Sequence, residues 1–271
     1  MEVSQLAEIS QRVIEAVEKA SSKVMEIYDS DNFEIDNKND GSPVTIADTE
    51  SNLILSNILK SIDIKAPILS EEGDVKKNKV STFWLIDPLD GTKEFINKNG
   101  EFTVNVALIE NGKPVLGVVS APAIKEIFVG FADTSFKLTN GKKIPISSKK
   151  QSRDLCTVTT SKSHKSDIDQ IFVDICKDEF EIVEELPTGS SLKLCRVAEG
   201  SANIYSRLGP TYQWDIAAGQ AVVEASGGKV TSLEGIPLRY EFISERKNPL
   251  FFCSGDPDYA WESLFKKINL N

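Results

Sequence analysis

Trp84-Leu85-Ile86-Asp87-Pro88-Leu89-Asp90-Gly91-Thr92 is the stretch on which the reading of this chain turns. The apolar run 83–86 has strand length and is bounded by Asp-Pro, which suits a buried strand. It ends on two carboxylates three positions apart, across a proline and before a glycine. Pro88 fixes φ, Gly91 permits a sharp turn, and Thr92 then opens a short helix over 93–96. Such a turn can aim Asp87, Asp90 and the carbonyl of Leu89 into one small space. Clustered carboxylates repel unless a cation lies between them. Oxygen-only ligands suit a hard cation such as Mg²⁺. The alternative is a plain Asp-Pro turn with Asp90 as a helix cap. The spacing does not fit an Asp-x-Asp aspartyl-phosphate site, and the further ligands of a helix-loop-helix calcium loop are missing.

Two more acidic sites lie to either side. Leu69-Ser70-Glu71-Glu72-Gly73 closes a short strand predicted over 66–69. Neighbouring strand ends are close in space, so Glu71 can join the cluster; alone, a Glu-Glu pair reads as a solvated loop. In Trp214-Asp215-Ile216-Ala217-Ala218-Gly219, Asp215 precedes a helix. It is either the N-cap or, near metals, a ligand, with the helix dipole favouring phosphate.

Around these motifs the pattern is layered. Apolar residues three or four apart predict a helix over 3–28. A polar loop (36–43) leads to a second helix over 44–62, whose Thr45-x-x-Asp48 has capping-box spacing. Strands follow at 103–109 and 115–120 around Asn111-Gly112, then at 127–132 and 136–138, with Asn140-Gly141 as a further turn. Residues 147–153 are polar and linker-like. Beyond them strands (157–160, 180–186, 202–208, 250–253) alternate with helices (166–177, 190–199, 215–226, 257–268). The pattern divides the chain into an α+β domain over 1–150, carrying most of the acidic cluster, and an α/β domain over 151–271, which contributes Asp215.

Composition excludes several classes. The 271 residues carry 31 Lys+Arg against 41 Asp+Glu, a net charge of −10, with 40% apolar and 27% charged residues. That is a globular mixture, and its acidity argues against a nucleic-acid polymer or an anionic membrane as partner. No apolar run approaches membrane-spanning length, and Met-Glu-Val-Ser-Gln does not start a signal peptide. Cys156, Cys176, Cys195 and Cys253 form no CxxC pair and read as buried free thiols of a reducing, cytoplasmic compartment. With a single histidine, His164, a zinc site is not expected.

Taken together, Glu71-Glu72, Asp87-Pro88-Leu89-Asp90-Gly91-Thr92 and Trp214-Asp215-x-Ala217-Ala218 resemble the lithium-sensitive, Mg²⁺-dependent phosphatases of the inositol monophosphatase superfamily, in order and separation over nearly the whole chain. The resemblance implies an αβαβα layered α/β sandwich of the inositol monophosphatase and fructose-1,6-bisphosphatase type, two or three bound Mg²⁺, and phosphomonoester hydrolysis. Ser42-Pro43-Val44-Thr45-x-x-Asp48, Lys93-Glu94-Phe95-Ile96, residues 99–105, Gly189-Ser190-Ser191-Leu192-Lys193 and Val197-Ala198-Glu199-Gly200 are most similar to the superfamily's branch of 3′(2′),5′-bisphosphate nucleotidases. Gly41 replaces an Asn of that pattern. This branch implies a small phosphorylated nucleotide as substrate, 3′-phosphoadenosine 5′-phosphate or its 5′-phosphosulfate, and a cytoplasmic monomer or homodimer compatible with peripheral contact at the inner membrane. Inositol phosphate or fructose 1,6-bisphosphate hydrolysis is the alternative, and a silent metal- or nucleotide-binding regulator the third reading.

Carried over residue by residue, Glu71, Asp87 and the Leu89 carbonyl resemble the ligands of a first metal. Asp87, Asp90 and Asp215 resemble those of a second, with Asp87 bridging. Two cations flanking a phosphate neutralise its oxygens, lower the pKa of a bound water and stabilise the leaving alkoxide. Thr92 and Asp48 resemble the pair that orients the attacking water, with Glu72 behind the ligands; as isolated residues, both are caps. The N–H groups of Gly91 and Thr92 can hold phosphate. Gly189, Ser190 and Lys193 suit a phosphate or ribose contact, the alternative being a serine cap beside an exposed lysine. Arg207 suits the second phosphate, or else is solvated; His164 lies near the nucleotide or at the surface. Asp215 serves as ligand and substrate contact alike.

Overall fold

The computed structural model describes residues 1–30, 35–37, 43–64, 66–73, 75, 78–162, 166–243 and 247–268. Its first layer is α1 (Val3–Asp29) with α2 (Ile46–Lys60). On α1 the predicted stripe, Leu6, Ile9, Val13, Val17, Ala20, Val24 and Ile27, is buried throughout. Between the two helices, β1 (Ile35–Asn37) pairs antiparallel with β2 (Pro43–Thr45). This pairing starts α2 at Ile46, two residues later than the spacing predicts.

The second layer is a seven-stranded sheet: β3 (Ile68–Ser70), β4 (Thr82–Asp90), then β5 (Thr103–Glu110), β6 (Lys113–Ala121), β7 (Glu126–Phe131), β8 (Thr134–Thr139) and β9 (Lys142–Pro145), in that order. α3 (Thr92–Ile96) interrupts it after β4. β3 runs parallel to β4, and every later pair is antiparallel. At both predicted hairpins the two central residues take positive φ (Asn111 51°, Gly112 76°; Asn140 49°, Gly141 71°), as two-residue primed turns require.

After 154 the chain builds a second sheet from β10 (Leu155–Ser161), β11 (Ile182–Thr188), β12 (Ile204–Arg207), β13 (Lys229–Ser232) and β14 (Phe251–Ser254), ordered β11-β10-β12-β14-β13. α5 (Leu192–Ala198) and α6 (Ala217–Ala225) lie between the sheets, while α4 (Asp167–Glu179) and α7 (Glu262–Phe265) cover the outer face. Three buried cores bind these five layers, one of them filling both faces of the α5–α6 layer between the sheets. Among the described residues, no helix is long and apolar enough to cross a membrane.

Three expectations need correction. The central strand runs on from 83–86 to Asp90, because the ladder with β5 continues past Pro88. Lys229–Ser232 forms a strand that its short, polar sequence did not announce. The helix expected over 257–268 shrinks to Glu262–Phe265. Three-residue bonds from Ser263 to Ala260, Leu264 to Trp261 and Ile268 to Phe265 tighten the segment around the buried Trp261 instead.

The middle layer rests on glycine. A Cβ at Gly117 (β6) would stand 2.1 Å from the Ala218 carbonyl oxygen, and one at Gly130 (β7) 2.4 Å from Val222 Cα. The α6 backbone therefore lies directly on the sheet, and Asp215 enters just before it. Gly117→Ala is expected to destabilise the fold by about 3 kcal/mol, the upper range for overpacking, since backbone must move. A urea midpoint equal to that of the wild-type chain would contradict this packing.

Candidate active site

The ladder geometry gathers the acidic motifs. Ser70 pairs with Ile86 across the parallel β3–β4 ladder, and the Glu71 N–H donates to the Ile86 carbonyl at 3.2 Å. Glu71 thus leaves its strand beside Asp87. On the other side Asp87 pairs with Asn105 and Asp90 with Thr103, three steps along β4 against two along β5. In a regular strand residues three apart face opposite sides. The extra residue of this bulge returns Asp90 to the side of Asp87. The turn is pinned by the Asp87 Oδ1, which accepts from the Leu89 N–H (3.1 Å), and by Ser51 of α2, whose hydroxyl donates to the Pro88 carbonyl at 2.7 Å.

The carboxylates share one field. Asp87 is 1% exposed. Burial first, then the charges of Glu71, Asp90 and Asp215, hold its carboxyl well above the usual carboxylate range, and it is hydrogen-bonded to Glu71. Asp215 is raised by burial, then by Asp90 and Glu71. Burial also raises Asp90, opposed by the Ser190 hydroxyl, Lys193 and the Ser191 N–H. Among the described residues, no three His, Cys, Asp or Glu side chains are grouped as ligands of one ion. The donors are nonetheless all oxygen, mutually repelling and largely buried, which is the chemistry of a hard divalent cation.

Neither Asp90 nor Asp215 is a cap. Gly91 is the N-cap of α3, in the left-handed region at φ 88°, where a side chain is strained. Ile216 is the N-cap of α6, and the Asp215 Oδ2 turns back to accept from the Tyr212 N–H at 2.9 Å. Asp48 uses its two oxygens on different partners. Its Oδ2 accepts from the Thr45 N–H and hydroxyl, both at 2.8 Å, closing the capping box. Its Oδ1 accepts from the Thr92 hydroxyl at 3.2 Å, and that hydroxyl also lies 3.3 Å from the Leu89 carbonyl. The Glu72 N–H donates to the Ser70 hydroxyl at 3.2 Å.

A cleft of about 480 Å³ opens over these groups. Its lining includes the carboxylates Glu71, Asp90 and Asp215, the Gly91–Thr92 and Gly189–Ser190 turns, and the cations Lys193 and Arg207, while Asp87 lies beneath it. The exposed-lysine alternative fails, because Lys193 is only 7% exposed. Burial lowers its pKa to about 8, although Asp90 pulls the other way. Its ammonium donates to the Thr188 carbonyl (3.4 Å) and lies 5.5 Å above the Tyr205 ring. Ser191 is the N-cap of α5, yet its side chain makes no capping bond. Arg207 donates from Nη2 to the Pro210 carbonyl at 2.9 Å, and its buried Nε has no partner among the described residues. Ser161 and Tyr205 also line the cleft, and sequence reasoning did not select them. Tyr205 stands two residues before Arg207, so the strand period already puts both on one face. His164 and Gly41 lie outside the described residues.

A five-layer sandwich with an acidic cleft where β4 ends near the start of α6 is the architecture of one phosphatase class. The sequence model of the inositol monophosphatase family matches residues 5–250, and the chain belongs to that family. Within it, the chain is 39% identical over 250 residues to the 3′(2′),5′-bisphosphate nucleotidase CysQ of Escherichia coli (strain K12), covering 90% of this chain and 98% of that protein. The CysQ protein of Buchnera aphidicola subsp. Acyrthosiphon pisum is 38% identical over 239 residues, covering 86% and 88%. The crystal structure of CysQ from Bacteroides thetaiotaomicron superposes with a TM-score of 0.81 at 34% identity, covering 91% of this chain and 97% of that one.

Proposed function

We infer that this chain is a Mg²⁺-dependent 3′(2′),5′-bisphosphate nucleotidase of the cytoplasm. It removes the 3′-phosphate of 3′-phosphoadenosine 5′-phosphate to leave AMP, and by the same chemistry acts on the 5′-phosphosulfate. The observation that carries this reading is one cleft lined both by carboxylates, Glu71, Asp90 and Asp215, and by two cations, Lys193 and Arg207. A monophosphate ester needs only the first of these; a bisphosphate uses both.

Glu71, Asp87 and the Leu89 carbonyl are assigned to one Mg²⁺, and Asp87, Asp90 and Asp215 to a second. Mg²⁺ held there neutralises the phosphate oxygens and lowers the pKa of water. The chain's own groups do the rest. Thr92, fixed through Asp48, orients the attacking water, and the Asp48 carboxylate takes up its proton. Glu72 stands behind the ligands, and the Gly91 and Thr92 N–H groups hold the reacting phosphate. Gly189, Ser190 and Lys193 receive the nucleotide's other end together with Arg207, and the sequence offers His164 as a further nucleotide contact. The catalytic contribution is positioning and charge stabilisation, with no phosphorylated side chain.

Initial rates on 3′-phosphoadenosine 5′-phosphate, inositol 1-phosphate and fructose 1,6-bisphosphate, with and without Mg²⁺, test the reading directly. A preference for either of the last two overturns it. Lithium is expected to inhibit at Mg²⁺ concentrations that support turnover, as the family likeness implies. LiCl and KCl compared at equal ionic strength separate a specific site from screening, and equal responses count against it.

The lowered pKa of Lys193 adds a pH dependence. The ammonium is present below about pH 8 and lost as pH rises through that value. kcat/KM for the bisphosphate should therefore fall above about pH 8, while that for adenosine 3′-monophosphate keeps no such limb. Lys193→Arg should move the limb out of range. Parallel profiles for both substrates would remove Lys193 from substrate binding.

A further inference from the structure

One strand beside the carboxylates changes character along its length. On β5, Ala107 and Ile109 join the core between the sheets, while Val104, Val106 and Leu108 face α1 and α2. By the two-residue period, Thr103 and Asn105 continue the inner face. Both are buried, at 0% and 1% exposure. Two buried polar side chains at that point cost stability unless they are bonded to something.

Their partners all lead to one turn. Thr103 Oγ1 lies 2.7 Å from the Ser190 hydroxyl and 2.7 Å from that of Ser191. The Ser191 hydroxyl donates to Asn105 Oδ1 at 2.8 Å. The same turn then grips Asp90: the Ser190 hydroxyl and the Ser191 N–H donate to its Oδ2 at 2.5 and 2.7 Å. Thr103 is the ladder partner of Asp90, and Asn105 that of Asp87. The turn is also wedged against the chain leading into β5, since a Cβ at Gly189 would stand 2.7 Å from Glu101 Cβ. Lys193 follows Ser191 by two residues. The buried Asn105 Nδ2 has no partner among the described residues, an expense that an apolar residue here would avoid.

We propose that Thr103 and Asn105 are positioning residues that key the Gly189–Ser191 turn to Asp90, so that the carboxylates and the cations of the cleft are set as one unit. The relay runs from Thr103 and Asn105 through the two serines to one oxygen of Asp90. That oxygen is saturated by the turn, which fixes the rotamer of the carboxylate. The proposal deepens the metal-dependent reading above and rests on it.

Thr103→Val keeps shape and β-branching and removes only the hydroxyl. Calorimetric titration of the full chain with Mg²⁺, without substrate, should show affinity about tenfold weaker, as when an outer hydrogen-bond partner of a metal ligand is lost. KM for the bisphosphate should rise in parallel, and Thr103→Ser should restore both. The metal-free Tm should stay near that of the wild-type chain. Ser191→Ala, a smaller change outside the sheet, should shift Mg²⁺ affinity in the same direction and serves where the valine variant folds poorly. Wild-type Mg²⁺ affinity in both Thr103→Val and Ser191→Ala, with only Tm lowered, overturns the proposal. A wild-type chain that takes up no Mg²⁺ overturns the metal-dependent reading itself, and the proposal with it.

Discussion

Asp87→Asn is expected to lose at least about 10³-fold in kcat at saturating Mg²⁺, several kcal/mol of transition-state stabilisation, while keeping its circular dichroism spectrum. Asp87 stands between the other carboxylates: Glu71, Asp90 and Asp215 all raise its pKa. In the assignment proposed above it is the ligand common to both cations. The substitution is nearly isosteric and keeps an oxygen to accept the Leu89 N–H. Without metal the effect on stability has the opposite sign. A carboxyl whose pKa is raised by folding keeps a proton that the unfolded chain releases. Its contribution is favourable below the unfolded carboxylate pKa and is lost as pH climbs towards the folded one. At neutral pH the metal-free wild-type chain bears that cost, and the Asn variant does not. Its metal-free Tm at pH 7 should equal or exceed the wild-type value, and its Tm should vary less with pH. Near-normal hydrolysis by Asp87→Asn would sink the assignment of two cations to this cluster.

Lys193→Ala and Arg207→Ala are each expected to weaken the bisphosphate substrate by about 1.5–3 kcal/mol in kcat/KM, the usual range for a hydrogen bond to a charged group. For a substrate without the 5′-phosphate the same changes should cost little. The difference of differences isolates the contact from general damage to the cleft. Lys193 carries the sharper expectation. Its ammonium is buried at a cost visible in the lowered pKa, and its recorded hydrogen bond, at 3.4 Å to Thr188, is long. Arg207 brings a buried Nε that has no partner among the described residues. If each mutation hurts both substrates equally, neither side chain reads the second phosphate, and hydrolysis of a simpler phosphate ester becomes the better reading.

Much of the site was legible as residue types at fixed spacings. Asp87 and Asp90 are marked by an apolar strand running into Asp-Pro-x-Asp-Gly, because two carboxylates brought together by such a turn repel unless a cation lies between them. Thr45 and Asp48 announced a capping box, which forms. What the spacing could not say was that Asp48 also reaches Thr92, a partner 44 positions away. Nor could it say that Lys193 is buried. The turn that leads into its helix, Gly189-Ser190-Ser191, is small and polar, as in an exposed turn, and Thr103 of β5 packs against both serines. The closing helix failed for a related reason: its apolar residues have helical spacing, yet packing around Trp261 favours tighter turns.

The sequence by itself determined the alternation of layers, the two hairpins and the identity of the acidic residues. Those depend on periodicity, on turn residues that tolerate positive φ, and on side-chain chemistry, all of which act over a few positions. The tertiary structure alone decided which carboxylates share a field and which side chains oppose them. A one-residue bulge against β5 turns Asp90 to the side of Asp87. Two glycines under α6 let that helix approach the sheet closely enough to bring Asp215 to the same place. Neither effect can be read from spacing, because each depends on a contact between segments far apart in the chain, where burial and charge repulsion are set by whatever the fold brings near.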